Sequence, residues 1–290
     1  MRFFSEMLLM GGAIYLFLSG FLLLFGERFL FHPPRPPYTA EEVETLPLTT
    51  PSGGTVAAVF LPVADAPAVL LYAHGNAEDL AALSPRLERI ASLGISVLAY
   101  DYPGYGASTG KPTEAGIYEA AETAMAFLLK RGYAPSHIFL MGFSLGTAPT
   151  LFLAQRHAVA GMILQGAFLS AFRTVTVLPI FPGDRFVNAA RIASIACPAL
   201  FIHGTRDRVV PLWHGQALYQ RYRGPKEHLW IDGGEHNGLW GYAPAQLLDT
   251  LESFFSRTLP LGTAPLRRND RSPRLAGKKR RKPRPGVWKG

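Results

Sequence analysis

The stretch HIFLMGFSLGTAPT, residues 137–150, decides the fold, because a serine stands between two glycines where an apolar run ends and a helix-forming run begins. The residues before Gly142 indicate a buried strand, and those after Gly146 indicate a helix that tolerates Pro149 in its first turn. A nucleophile on such a strand-to-helix turn needs small residues two places before and after it. Ser144 is therefore a candidate nucleophile.

A second copy of the same glycine and serine spacing lies at Gly106, Ser108 and Gly110, within DYPGYGASTGKP. Proline and glycine in this stretch oppose both a strand before the serine and a helix after it. This copy predicts a loop, so we assign no chemistry to it.

Composition favours one large domain with extensions, since the chain has 290 residues and 48% hydrophobic content. The single cysteine, Cys197, excludes an internal disulfide. The net charge of +8 is concentrated in residues 259–290, which hold eleven of the 29 Lys and Arg residues but only one acid, Asp270. We predict a disordered basic tail there, which either keeps the protein soluble or attracts anionic lipid, and we expect no nucleic-acid partner.

The N-terminal region predicts a membrane anchor. After a short flank at residues 1–6, residues 7–25 are uncharged and long enough to cross the hydrocarbon core as a helix. A cleaved signal peptide is the alternative, but its apolar region would be shorter and no A-x-A-like cleavage site follows. Residues 26–39, with FHPPRPP, predict an extended spacer that holds the domain away from the bilayer. Flanking charges leave the orientation of the span open.

Residues 40–258 alternate short apolar runs with amphipathic stretches, which indicates the α/β class with a mostly parallel, doubly wound sheet. Ligands of such sheets bind at the carboxyl ends of the strands. The predicted strands are residues 56–61, 68–73, 96–100, 137–141, 162–165, 199–203 and 228–231, and the predicted helices are residues 79–92, 113–130, 145–156, 213–223 and 243–257.

Two residues after Ser144 complete a candidate catalytic triad. A serine hydroxyl needs a base within hydrogen-bond reach, and this base needs an acid to orient it. On this type of sheet the acid follows the serine along the chain and the base comes last. Asp207, in the turn after a strand, is the predicted acid, and His236, in the glycine-rich loop IDGGEHNG, is the predicted base.

The alternatives to these assignments have less suitable positions. Asp232 and Glu235 are second choices as the acid because they lie too close to His236 in sequence, whereas His214 is placed at a helix start and His228 in a strand. An ordinary turn-capping role for Asp207 and a loop role for His236 stay open.

Two backbone N–H groups are the candidate oxyanion donors, because the tetrahedral intermediate of acyl transfer carries a negative charge. One belongs to Leu145, directly after the serine, and the other to Asn76, with Ala77 as the alternative. His74 and Asp101 follow earlier strands, and we interpret both as structural. The scattered histidines and lone cysteine predict no metal site, and no cofactor motif is present.

The segment at residues 167–195, which we call the cap segment, is too short for a helical cap domain, so the sequence predicts an open site. Five of its apolar residues are candidates to line an acyl groove or, equally, to pack on the core. They are Phe168, Phe172, Leu178, Ile180 and Phe181.

The blocks YAHGNAEDL, YDYPGYGAS, GFSLGTAPT, HGTRDRVVP and GGEHN stand in the order in which they occur in the α/β-hydrolase family, which the chain resembles over residues 40–257. Within that family it is most similar to small, nearly cap-less, membrane-associated serine hydrolases that include eukaryotic protein depalmitoylases. The resemblance implies Ser144 as nucleophile, Asp207 as acid and His236 as base. Those depalmitoylases attach through an acylated, cysteine-rich N-terminus, which an apolar span replaces here.

The sequence thus predicts a membrane-anchored serine hydrolase that cleaves ester or thioester bonds of lipid-like substrates or acylated proteins. Two alternatives stay open, namely a peptidase or amidase of the prolyl-oligopeptidase type and a catalytically inactive anchored scaffold. We expect a monomer with a single membrane pass. The similarity to anchored bacterial relatives favours an inner-membrane protein with its domain outside the cytoplasm.

Overall fold

A computed structural model describes residues 2–39 and 42–268, and most of the basic tail, residues 269–290, lies outside the described residues. Within these residues the chain forms one eight-stranded sheet in the order β1-β2-β4-β3-β5-β6-β7-β8. Strand β2 is antiparallel to both of its neighbours, β1 and β4, and all other neighbouring strands are parallel to each other. The strands are β1 Leu46–Thr49, β2 Thr55–Leu61, β3 Val69–Ala73, β4 Ser96–Tyr100, β5 Ile138–Phe143, β6 Gly161–Gln165, β7 Ala199–Gly204 and β8 Lys226–Ile231.

Helices cover both faces of this sheet and bury two apolar layers. One layer contains side chains of α3, α4 and α6, and the other contains side chains of α2 and α8. This arrangement confirms the predicted doubly wound α/β class. The α-helices are α1 Arg2–Leu30, α2 Leu80–Ala91, α3 Glu114–Lys130, α4 Thr147–Arg156, α5 Asn188–Arg191, α6 Trp213–Arg221, α7 Leu239–Tyr242 and α8 Pro244–Thr258.

The central parallel strands bring the candidate site residues to one edge of the sheet. Strands β3, β4, β5, β6 and β7 are buried along their whole length, as their almost continuous apolar sequences predict. Ala73 of β3 pairs in register with Gly142 of β5, so the turns that follow these two strands begin at the same height. The residues after each strand therefore share one mouth.

Sequence reasoning located the seven longer strands to within a few residues but missed β1. This strand is four residues long, contains Pro47 and pairs only with β2 at the sheet edge. Proline is tolerated in such an edge strand, although it weakens the strand signal in a sequence.

Helix α1 differs from the predicted anchor and spacer. It continues to Leu30, five residues past the predicted span, and it is long and apolar enough to cross a membrane. The chain after it does not hold the domain away, because Phe31 and Tyr38 are buried against the domain. The prediction of an extended spacer from residue 26 is therefore wrong in two respects. Residues 26–30 form the last turn of α1, and the side chains of Phe31 and Tyr38 attach the chain after it to the domain.

The first part of the predicted disordered tail packs against the domain. Residues 259–268 have no regular secondary structure, but Leu266 contacts the apolar layer under α8. Arg268 donates to Glu252 on α8 from its Nε, at 3.0 Å from Oε1. The tail prediction otherwise falls on residues outside the described part of the chain.

Candidate active site

Ser144 occupies the sharp turn between β5 and α4, where its backbone φ is 50°, a left-handed value that is costly for a residue with a side chain. The turn is possible because two neighbouring chain segments approach very closely. A Cβ at Gly142 would lie 2.2 Å from the oxygen of Gly146, and one at Gly146 would lie 2.1 Å from the oxygen of Ala73. Both positions therefore require glycine, as the sequence pattern predicts.

The structure brings together the three side chains that the sequence selects for the triad. The Nε2 atom of His236 lies 2.9 Å from the Oγ of Ser144, and its Nδ1 lies 2.6 Å from the Oδ2 of Asp207. Asp207 and His236 are buried, whereas Ser144 is partly exposed. The imidazole can thus take a proton from the hydroxyl while the carboxylate fixes its orientation.

Asp207 is held by groups on both of its oxygens. Its Oδ1 accepts the backbone N–H groups of Val209 and Val210 at 2.9 and 2.7 Å. Its Oδ2 lies 3.2 Å from the Nε2 of a second buried histidine, His203. Burial alone would raise the pKa of this carboxyl, but the hydrogen bonds from His203 and His236 hold it well below its usual range. Asp207 therefore stays ionised beside the imidazole.

The His236 ring packs close to an aromatic side chain and a glycine. Its centroid is 5.1 Å from that of Phe143, the residue before the serine. A Cβ at Gly166 would lie 3.1 Å from the Cε1 of His236. The loop after His236 is fixed by Trp240, whose indole donates to the Oε1 of Gln165 on β6 at 3.1 Å. The imidazole thus has little freedom to leave the serine.

The turn after β3 carries the predicted oxyanion donor, Asn76. The neighbouring Gly75 N–H donates to the Oε2 of Glu78 at 2.9 Å, and Glu78 in turn pairs with Arg86 at 2.9 Å. Burial opposes the ionised form of Glu78, but the Arg86 guanidinium holds the pKa of its carboxyl below the usual value. The second predicted donor, the N–H of Leu145, lies in the first turn after Ser144, where helical N–H groups have no intrahelical acceptor.

The Asn76 side chain connects this turn to the end of α1. Its Nδ2 donates to the carbonyl oxygen of Leu30 at 2.6 Å, and its Oδ1 accepts the backbone N–H of His32 at 3.1 Å. The hydroxyl of Tyr105 also donates to this Oδ1, at 2.7 Å. The backbone at Asn76 is therefore fixed from both sides, by α1 and by the loop after β4.

His74 and Asp101 form a buried pair behind this turn, in line with the structural role that the sequence indicates. The Nε2 of His74 lies 3.3 Å from the Oδ1 of Asp101, and neither residue is exposed. The Oδ2 of Asp101 accepts the hydroxyl of Tyr38 at 2.6 Å. In the same loop, Ser108 donates to the carbonyl oxygen of Asp101 at 3.2 Å, so the second glycine-serine pattern is a loop as predicted.

The alternatives for acid and base are placed elsewhere. Asp232 and Glu235 are exposed, and Asp232 accepts a hydrogen bond from Thr205 at 3.1 Å instead. His214 is buried at the start of α6, where its Nδ1 accepts the N–H of Leu169 at 3.3 Å. His228 has an exposed side chain on β8.

The apolar residues of the cap segment are divided between the core and α1. Phe168 is buried in the core, which is the alternative that the sequence left open. Phe172 lies against α1, where a Cβ at Gly26 would be 3.3 Å from its ring. Phe181 stacks on Tyr15 of α1 with 6.0 Å between ring centroids, and Leu178 and Ile180 are exposed. An acyl groove formed by these residues stays a prediction.

Sequence reasoning missed two groups that support the site. His203 stands four residues before Asp207 in FIHGTRD, and a histidine at that position of a buried strand end is a usable signal. Arg86, on α2, lies with its guanidinium carbon 5.5 Å from the centre of the Phe143 ring. No local pattern marks Arg86, because it reads as an ordinary charge on an amphipathic helix.

Comparisons with known proteins match the chain to α/β hydrolases. A family model described as serine aminopeptidase, S33 matches residues 64–182. Human alpha/beta hydrolase domain-containing protein 17B is 36% identical over 224 residues, which cover 76% of this chain and 77% of that protein. Human alpha/beta hydrolase domain-containing protein 17C is 37% identical over 195 residues, which cover 66% of this chain and 59% of that protein.

Solved structures with the same fold include esterases. The Pyrococcus furiosus esterase Pf2001 is similar with a TM-score of 0.66 at 20% identity, over 79% of this chain and 98% of the esterase. The alpha/beta hydrolase GrgF from Penicillium has a TM-score of 0.64 at 17% identity, over 74% of this chain and 98% of that chain. At these identities the likeness shows the fold alone.

Proposed function

Because this chain belongs to the alpha/beta hydrolase domain-containing protein 17 family of hydrolases, we propose that it is a membrane-anchored serine hydrolase that cleaves carboxylic ester or thioester bonds through an acyl-enzyme. The observation that carries the proposal is the position of His236, with Ser144 at 2.9 Å from one ring nitrogen and Asp207 at 2.6 Å from the other. This relay is the one that acyl transfer from a serine requires.

In the first half of the reaction, the Nε2 of His236 takes the proton of Ser144 as its Oγ attacks the acyl carbon. The negative charge that develops on the carbonyl oxygen is stabilised by the N–H groups of Asn76 and Leu145. Asp207 stays ionised and stabilises the imidazolium, because its pKa is held below the usual range. The imidazolium then protonates the leaving alcohol or thiol, which departs and leaves an acylated serine.

In the second half, water replaces the leaving group. His236 takes a proton from the water as it attacks the acyl-enzyme, and the second tetrahedral intermediate is stabilised by the same two N–H groups. When this intermediate collapses, the proton returns to Ser144 and the carboxylic acid is released. No group other than these residues and water is required.

The substrate class follows from the surroundings of the site. Helix α1 is apolar and long enough to span a bilayer, and its contact with Phe172 and Phe181 brings the cap segment next to it. We therefore assign lipid-like esters or acylated proteins as substrates, in line with the resemblance to depalmitoylases.

The decisive test is labelling of the full-length protein with a fluorophosphonate probe. We expect labelling of the wild type and its loss in Ser144→Ala, together with loss of hydrolysis of p-nitrophenyl esters. Ser108→Ala, which changes the serine of the second glycine-serine pattern, is the matched control and should label normally. An unlabelled wild type, under conditions where a known serine hydrolase labels, would favour an inactive scaffold.

The description of the matching family model favours one rival, an aminopeptidase or amidase, since the same triad cleaves amides. A panel that compares p-nitrophenyl esters with aminoacyl p-nitroanilides separates the two functions. We expect hydrolysis of the esters and little of the anilides. Faster hydrolysis of the anilides would overturn the assignment to esters and thioesters.

A further inference from the structure

Residues 172–183, which we call the cap loop, present apolar side chains away from the domain. Val175, Val177 and Leu178 are 89%, 70% and 63% exposed, and Ile180 is 48% exposed. From Thr174 to Gly183 the loop has no ionisable residue. A contiguous apolar surface of this kind is unusual on a water-facing loop and marks an interaction site.

The cap loop also satisfies many of its own polar groups. The hydroxyls of Thr174 and Thr176 donate to backbone carbonyls of Ala171 and Phe172 at 2.7 and 3.1 Å. Three backbone N–H groups donate within the loop, since Val175 and Thr176 both bond to the oxygen of Phe172 and Ile180 bonds to the oxygen of Leu178. Pro179 and Pro182 have no N–H at all.

The side chains of Arg173 and Tyr15 donate hydrogen bonds to two further carbonyl groups of the loop. The oxygen of Val177 accepts from the Nε and Nη2 of Arg173 at 3.2 and 3.0 Å. The oxygen of Ile180 accepts the hydroxyl of Tyr15, on α1, at 2.8 Å. In hydrocarbon, unlike in water, backbone polar groups have to find their partners within the protein. The loop meets this condition for the groups named above.

Charged residues stand only at the two ends of the cap loop, although the guanidinium of Arg173 reaches the carbonyl oxygen of Val177. Asp184 accepts the N–H of Phe172 at 2.8 Å, and Arg185 pairs with Glu27 of α1 at 3.4 Å. The tip meets α1 twelve residues further towards the N-terminus, at Tyr15, which corresponds to roughly 18 Å along the helix axis. The loop is therefore charged beside Glu27 and apolar beside Tyr15, so its polarity decreases in the direction in which α1 would enter the membrane.

We propose that the cap loop inserts into the hydrocarbon layer beside α1, with Glu27, Arg173, Asp184 and Arg185 at the membrane interface. The lipid acyl region is its partner, and the loop is a second membrane contact besides the anchor helix. This inference rests on the proposed membrane anchoring by α1. Its consequence for the reaction is that acyl chains approach the site from within the leaflet, because the cap segment connects the loop directly to Gly166 beside His236.

The depth of the loop can be measured on the full chain in phosphatidylcholine vesicles. In a Cys197→Ser background, which removes the single cysteine of the chain, Val177→Cys is labelled with an environment-sensitive fluorophore. Leu261→Cys is the matched control, since Leu261 is fully exposed at the end of α8, which covers the opposite face of the sheet from α3 and α4. We expect quenching at position 177 by lipids with a nitroxide on the acyl chain, and quenching at position 261 by aqueous iodide only.

Two outcomes of this measurement would overturn the proposal. Iodide quenching of the 177 probe equal to that at 261 would place the loop in water. A 177 probe that is shielded from both quenchers, and that forms cross-linked species of higher mass, would show that the loop packs against another protein.

A second measurement separates this inference from the proposed hydrolase function. The double variant Val175→Asp, Val177→Asp should lose about 10-fold or more of the hydrolysis of long-chain acyl esters embedded in vesicles, because charged groups are strongly disfavoured in hydrocarbon. Its hydrolysis of water-soluble p-nitrophenyl acetate should be unchanged, as should both activities of Leu261→Asp. Equal loss on both substrates would contradict lipid insertion. Absence of any Ser144-dependent hydrolysis in the wild type would instead overturn the proposed function, whatever the depth of the loop.

Discussion

Two regions that meet at the candidate site differ in almost every physical respect. The strand-end region, formed by the turns that carry Asn76, Ser144, Asp207 and His236, holds these four side chains buried or half-buried, and their polar groups have close partners. The cap loop is irregular and exposed, and it contacts α1 more than the sheet. Hydrogen bonds within the protein fix the side chains of the first region, whereas most apolar side chains of the second face the surroundings of the protein.

This difference separates chemistry from substrate selection. A change in the strand-end region should lower the rate for every substrate, because it alters groups that touch the reacting atoms. A change in the cap loop should affect only substrates that reach the site through the membrane. Four predictions test whether the two regions are independent to this degree.

The largest effect is expected for Asp207→Asn, which keeps the shape of the side chain but removes the charge that orients His236. We expect kcat/KM to fall about 10⁴-fold on soluble and on vesicle-embedded esters alike. The control is Asp232→Asn, an exposed aspartate near the same histidine in sequence, which should retain full activity. A loss confined to the embedded substrate would show that the two regions are not separate.

The next effect concerns His214, which connects α6 to the cap segment because its ring accepts the N–H of Leu169. Burial and the charge of Arg173 lower the pKa of His214 to about 4, while the charge of Asp207 acts in the opposite direction. The folded state thus binds fewer protons than the unfolded state between pH 4 and about 6.5. The contribution of neutral His214 to the free energy of unfolding is therefore fully present above pH 6.5. It decreases by about 3 kcal/mol as the pH falls from 6.5 to 4.

Thermal unfolding of the full chain in detergent micelles, from pH 7 to pH 4, measures this contribution. In His214→Gln the part of the decrease that is due to this residue should be absent, while Ser144-dependent activity at pH 7 stays near that of the wild type. His228→Gln, at an exposed histidine, is the control and should keep the pH dependence of the wild type. Identical curves for the wild type and His214→Gln would contradict the prediction.

A smaller effect is expected for Gly146→Ala, because the added Cβ would lie 2.1 Å from the oxygen of Ala73. The turn has to shift, and a displacement of about 1 Å at the nucleophile costs on the order of 10²-fold in rate. Gly241→Ala has open space around the added carbon and should be neutral. The loss should again be the same on both substrate classes, and circular dichroism would check that the variant folds.

The smallest effect is expected for Asn76→Ala, which keeps the proposed oxyanion N–H but removes the side-chain bonds to Leu30 and Tyr105. Each such bond contributes about 1 kcal/mol to stability, so loss of both limits the fall in kcat to roughly 30-fold, and we expect about 10-fold. His32→Ala leaves the bond between Asn76 and Leu30 in place and should cost less. If Asn76→Ala acted only on embedded substrates, the turn would belong functionally to the membrane side of the molecule.

The sequence predicted the strand-end region far better than the cap loop. Buried strands are visible in the sequence as apolar runs. Ser144 is marked by two glycines that the turn itself requires, so they stand next to it in the sequence. Asp207 and His236 could be found because each follows a strand and parallel strands end at one edge. His203 was missed, although it stands at the end of a strand four residues before Asp207, because a histidine in an apolar run resembles an ordinary core residue.

The contacts of the cap loop could not be predicted for a physical reason. Helix α1 is apolar on all sides, so its sequence does not indicate which face meets another element. The contacts of Tyr15 with Ile180 and of Gly26 with Phe172 are visible only in the structure. The burial of Phe31 was equally hidden, because the prolines that follow it are typical of an extended linker.

The burial of Phe31 and Tyr38 limits how the domain can move relative to its anchor. Phe31 packs edge-to-face with Phe186 at 6.1 Å, and Tyr38 is bonded to Asp101 behind the nucleophile. The chain between α1 and the domain is therefore packed on the domain, which restricts rotation of the domain about α1. Under the proposed anchoring by α1, an acylated protein would have to bring its modified residue to a fixed height above one leaflet, and the distance of that residue from the lipid surface would itself select substrates.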